Sequence, residues 1–145
     1  MIKEAMTPVL AIPTGAPLPE RWSFTISTAL HPDDEKFFRK WYPLVQGLEA
    51  EFSLLHIYEG FAHKAEDRLA EFSSQLEDAF PDWRARLELR AGEKPEQVLN
   101  GYLGEHPERC LVMFYQKKSF FAYLFNQSHS LQMAYHTRNP LWIMK

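Results

Sequence analysis

Ser128, His129 and Ser130 set two hydroxyls and an imidazole side by side, and Asp33 or Asp34 could complete a nucleophilic triad with them. Adjacent side chains on a helix point apart, and nothing resembling a nucleophile elbow surrounds Ser128. Ser128 therefore reads as a helix N-cap, and no catalytic residue is expected. Asp33 and Asp34 follow an apolar run, where carboxylates could hold Mg²⁺, but within His31-Pro32-Asp33-Asp34-Glu35 they read as solvated acids at a helix start. His129 and His136, seven apart, could share a helix face; without a further ligand they make no metal site, and no metal is expected. His56 sits inside Leu54-Leu55-His56-Ile57 and reads as a hydrogen-bonded core histidine. The single cysteine, Cys110, excludes an internal disulfide and any multi-cysteine metal centre, and fits a reducing cytoplasm. Its apolar surroundings make it a small buried hydrophobe.

Charge is unevenly placed. Beyond Glu108 there is no Asp or Glu, while Arg109, Lys117, Lys118, Arg138 and Lys145 are cationic. The net charge of -3 therefore hides a basic C-terminal third, which could meet an anionic ligand or simply be solvated. Lys117 and Lys118 among aromatics suggest a single-stranded nucleic-acid groove, but the rings are mainly Phe and suit core or interface better. No nucleic-acid partner is expected. No apolar run approaches a membrane span, and residues 1–6 hold no apolar signal core, so a cytoplasmic protein without a membrane partner is expected.

The elements that must position these groups follow from periodicity. At 145 residues and 46% hydrophobic, the chain is bounded to one globular domain. Short apolar runs at Trp22–Thr28, Phe52–Tyr58 and Cys110–Tyr115 read as strands, as do the alternating Arg84–Arg90 (an edge strand) and the closing Pro140–Met144. Between them lie amphipathic helices: one through Phe37, Phe38, Trp41, Leu44, Val45 and Leu48, in which Pro43 should kink or break the helix, one through Leu69, Phe72, Leu76 and Phe80, one over Pro95–Glu105 and one over Ser128–Thr137. Such alternation specifies an α/β fold with a parallel sheet and helices on both faces. In such sheets ligands bind at the carboxyl ends of the strands, where strand order reverses. Residues 1–21 stand apart. Four prolines and Gly15 mark a linker, within which Val9–Ile12 can form only an edge strand.

From Cys110 to Lys145 the chain resembles the C-terminal third of universal stress protein domains. In that family a strand ending in Val-Met leads into a glycine loop, a Ser or Thr, a helix and a Pro-led final strand. Val112-Met113, Ser128 and Pro140-Leu141-Trp142-Ile143-Met144 stand at those places, and Leu54-Leu55-His56-Ile57 and Gly92-Glu93-Lys94-Pro95 are similar to earlier family segments. The resemblance covers 22–145 and implies a five-stranded parallel sheet, order 3-2-1-4-5, with an N-terminal strand segment added.

The departures bear on function. Phe114, Lys117 and Gln127 replace the three glycines that let the backbone approach phosphates in nucleotide-binding members, and Ala29 stands where the family has an Asp. Ser119-Phe120-Phe121 through Phe125 and Met133-Ala134-Tyr135-His136-Thr137 resemble a degenerate subgroup met in tandem stress proteins, whose aromatics would fill the vacated pocket. The resemblance implies a non-catalytic, non-nucleotide-binding domain acting through a homodimer or tandem partner at the final strand, with no cofactor. The alternative is a protein that still takes ATP or another anion, through Thr28, Met113, Lys117, Lys118 and Ser128. Met1–Pro13 looks like the end of a preceding domain of the same kind, so Val9–Ile12 should pair antiparallel with the segment around Leu141–Ile143.

Overall fold

The computed structural model describes residues 9–12, 20–114 and 139–144. Among them six strands and three helices alternate: β1 (Val9–Ala11), β2 (Trp22–Ser27), α1 (Asp34–Val45), β3 (Ala50–Tyr58), α2 (Ala62–Ala79), β4 (Arg86–Ala91), α3 (Pro95–Glu105), β5 (Cys110–Phe114) and β6 (Leu141–Met144). The strands form one sheet in the order β1-β6-β5-β2-β3-β4. β2 through β6 are mutually parallel in the order expected, and β1 is antiparallel to β6. The sheet is therefore mixed and six-stranded, rather than five-stranded and all parallel. The added strand is the proline-bracketed segment, which takes an edge because proline cannot donate to a ladder on both sides. Its register sets Val9 opposite Ile143, Leu10 opposite Trp142 and Ala11 opposite Leu141.

Alternation along the strands divides the core into two layers. Phe24 and Ile26 of β2, Leu54 of β3, and Cys110, Val112 and Phe114 of β5 face α1 and α2, packing on Phe38, Trp41, Val45, Leu69 and Leu76. Leu55, Leu111, Met113, Leu141 and Ile143 face the other way, against Leu99, Tyr102 and Leu103 of α3. Cys110 is buried, and its desolvated thiol is pushed up to about 12.

Pro43 lies within α1, which runs unbroken to Val45. The bond it removes belongs to the last turn, where loss costs the helix least. β3 begins at Ala50, earlier than the apolar run, because Glu51 is exposed at the open amino end of the sheet and need not be apolar. α2 begins at Ala62, with a polar first turn that carries no core-facing side chain before Ala65. The expected helix over Ser128–Thr137 lies outside the described residues. No described helix is long and apolar enough to cross a membrane.

Candidate functional site

From β2 the chain runs outward to β3 and β4, then crosses back to β5 and β6, so the order reverses between β2 and β5. The crevice beyond their carboxyl ends is the default ligand position in such a sheet. On the β2 side it is occupied by the protein's own bonds, centred on Thr28. The Thr28 N–H donates to the Leu55 carbonyl (2.9 Å), and its carbonyl accepts from His56 Nδ1 (2.9 Å). Its hydroxyl donates to Asp34 Oδ2 (2.6 Å) and accepts from the Leu30 N–H (3.0 Å). That last bond spans two residues, the pattern by which Ser and Thr close a turn. It helps hold Leu30 at φ 59°, a left-handed conformation that costs a non-glycine residue about 1–2 kcal/mol.

Asp34 is 1% exposed. The expectation of two solvated acids at this helix start therefore holds for Asp33 and fails for Asp34. The turn at Leu30 swings the first residue of α1 under the strand end, where the Thr28 hydroxyl compensates its carboxylate. His56 is buried as expected. Burial lowers its pKa, as does Arg68, against opposing effects of the Thr28 carbonyl and Asp34. The imidazole is therefore neutral at pH 7. A carbonyl can only accept, so the proton sits on Nδ1 and Nε2 carries a lone pair.

On the β5 side, Phe114 ends the strand 1% exposed, its ring stacked on Phe37 with centroids 5.9 Å apart. Met113 points to the opposite, α3 face and is fully buried. Thr28 and Met113 thus flank the crevice from adjacent strands without converging, and Lys117, Lys118 and Ser128 lie outside the described residues, as do Phe120, Phe121 and Phe125.

Open space lies one strand away. A cleft of about 450 Å³ at the carboxyl end of β3 is lined by His56, Tyr58, Glu59, Gly60, Lys64 and Arg68, with the 84%-exposed Phe61 on its lip. Gly60 turns the chain at φ 93°, which glycine adopts without a β-carbon clash. Lys64 and Arg68 are one helical turn apart on α2, whose first turn carries no acid. This cleft can attract an anion and accept one hydrogen bond at His56 Nε2. Sequence reading passed it over, although two cations four residues apart just after a strand-ending glycine were a visible sign. Among the described residues no three His, Cys, Asp or Glu side chains converge as metal ligands.

No family model matches the chain, and no curated protein matches it.

Proposed function

We propose that this chain is a non-catalytic domain of the universal stress protein type that works by assembly along its final strand and does not bind nucleotide. The observation that carries the reading is the antiparallel pairing of β1 on β6. On this reading β1 stands in for the final strand of a companion domain, and the paired strands join two sheets about a local two-fold axis. The companion is a tandem domain or a second copy, and 22–145 is the domain proper.

The crevice supports the second half of the proposal. A nucleotide using Thr28 would have to break hydroxyl bonds to Asp34 and Leu30 that are already made. A phosphate reaching the first position of the lost glycine loop would meet Phe114, stacked on Phe37. Calorimetry of the full chain with millimolar Mg²⁺–ATP should give no saturable heat. A saturable site would overturn this reading in favour of ATP or another adenine nucleotide held through Thr28, Met113, Lys117, Lys118 and Ser128.

A further inference from the structure

The amino ends of the strands, opposite the crevice, carry a groove that the proposed function leaves unused. Its volume is about 340 Å³, and Ser23, Glu51, Ser53, Arg84, Arg86 and Arg109 supply its polar lining. The sheet pleat explains this grouping. Ser23 alternates with Phe24, and Ser53 with Phe52 and Leu54, so both hydroxyls point to the α3 side while the apolar residues face α1 and α2. Arg86 is the register partner of Ser53. Arg84 is held just before β4 by donating from Nη1 to the carbonyls of Pro81 (3.0 Å) and Trp83 (2.6 Å).

Arg109 is the unusual member. It is 7% exposed, and among the described residues its side-chain hydrogen bonds leave from one nitrogen, Nη1, to the two Glu88 oxygens (3.3 and 3.1 Å) and to Tyr102. Nε is buried with no hydrogen-bond partner among the described residues, 3.7 Å from the Glu108 carboxylate. A guanidinium has five N–H donors, and leaving buried ones unmatched costs about 1–3 kcal/mol each. An anion drawn up to the guanidinium would offset that cost.

We infer that this groove binds a tetrahedral oxyanion, the phosphoryl group of a small phosphomonoester, on Arg109, Arg86 and Arg84 with Ser23 and Ser53 as hydroxyl donors. In the lining itself Arg84, Arg86 and Arg109 face a single acid, the exposed Glu51, while Glu88 and Glu108 sit against Arg109 from outside the lining and offset part of that charge. Planar guanidinium forks match phosphate oxygens in pairs, and the serine hydroxyls suit the remaining lone pairs. The groove is several times larger than the anion alone, which is why an ester rather than free phosphate is the expected ligand.

The test is a titration of the ¹⁵N-labelled full chain with inorganic phosphate, then with glycerol 3-phosphate, against chloride at equal ionic strength. Saturable shifts of the Arg109 Nε–H and of the Ser23 and Ser53 amides are expected with both phosphates, the ester binding more tightly. Arg86→Gln, at an exposed position, should leave the melting temperature unchanged and weaken binding about tenfold or more, as loss of a charge-assisted bond does. Saturation by inorganic phosphate with the ester excluded would overturn the ester as ligand. Shifts that chloride reproduces, that fail to saturate, or that survive Arg86→Gln would overturn the site.

Discussion

The two faces of the sheet solve the same burial problem with different chemistry. Under α1 and α2 the face is aromatic. Phe38 stacks on Tyr42 (5.3 Å) and meets Trp83 edge-on (4.7 Å), while Trp41 meets Phe24, Phe52 and Trp142 edge-on at 5.4, 6.1 and 6.0 Å. Stacked and T-shaped pairs at these separations add to the burial term without requiring partners in a fixed protonation state. Under α3 the face is aliphatic but crossed by a polar chain. The Thr25 hydroxyl lies 3.2 Å from the Tyr102 hydroxyl, which also bonds Glu88 and Arg109, and the Arg109–Glu88 ion pair is 3.1 Å long. Arg90 and Arg109 lie over the Tyr102 ring at 5.3 and 5.6 Å. The first face should be insensitive to pH until Tyr42 titrates in the alkaline range, and intolerant of lost volume. The second should tolerate small volume changes and depend on its charges.

The largest expected effect tests the aromatic face. Phe38 is fully buried and touches four other rings, so Phe38→Ala should cost about 3–5 kcal/mol, the range for large-to-small core changes. Urea denaturation at neutral pH measures it. A loss below about 1 kcal/mol would mean that the rings pack loosely and that the contrast between the faces is wrong.

The polar chain should give a smaller loss with a distinctive pattern. Arg109→Met leaves Glu88 half-desolvated against Tyr102 and should cost about 2–4 kcal/mol, near the range for breaking a buried pair, while Glu88→Leu together with Arg109→Met should recover most of it. An uncompensated double variant would show that the pair contributes net stability rather than specificity. The pH dependence follows the same groups. Tyr102 and Arg109 hold Glu88 below its ordinary value against the effect of burial, so its contribution is present above about pH 4.5 and is lost as pH falls through the lowered value. Burial first, then Glu88, raises Tyr102 to about 12, and burial with Asp82 raises Tyr42 to about 12. Their contribution is full below pH 10 and drains away as pH rises toward 12. In Tyr102→Phe the alkaline loss should shrink, which denaturation midpoints at successive pH values would show.

The aromatic face was legible in the sequence because periodicity reports it. Phe38, Trp41 and Val45, and Leu69, Phe72 and Leu76, recur at helical spacing and are buried, whereas Leu44 and Leu48 of the same expected helix are exposed and α1 ends at Val45. Pro95–Glu105 begins and ends where Pro95 and the polar His106-Pro107 place it. The polar chain was not legible. Glu88 and Arg109 are charged residues in a strand that alternates and just before one that does not, and only the register across β5, β2, β3 and β4 brings them to Tyr102. The crevice divides the same way. Thr28 was visible as the end of a strand, and Phe114 as an apolar residue closing another. The burial of Asp34 depends on Leu30 turning left-handed, which nothing in Ala29-Leu30-His31 announces. Local patterns record which residues face a core, whereas polar networks arise from long-range register.

The smallest stability effect, and the sharpest test of assembly, lies at the edge that belongs to neither face. β1 is three residues long, and Leu10 and Ile12 are 43% and 47% exposed, so little apolar surface is lost with it. Deleting residues 1–19 should therefore lower stability by only about 1 kcal/mol, the scale of a few net hydrogen bonds and one partly buried side chain. Its consequence for association should be larger. Without β1, the backbone donors and acceptors of Leu141–Met144 face solvent on the outer side, and β6 is otherwise a buried, apolar strand that another strand can extend. Two truncated chains should then pair antiparallel through β6, replacing in trans the ladder that β1 makes in cis. Sedimentation velocity over a range of concentrations reads this directly, with the truncated chain shifting toward dimer and the full chain shifting less. A truncated chain that stays monomeric with unchanged stability would remove the final strand as an assembly edge, and with it the basis of the proposed function.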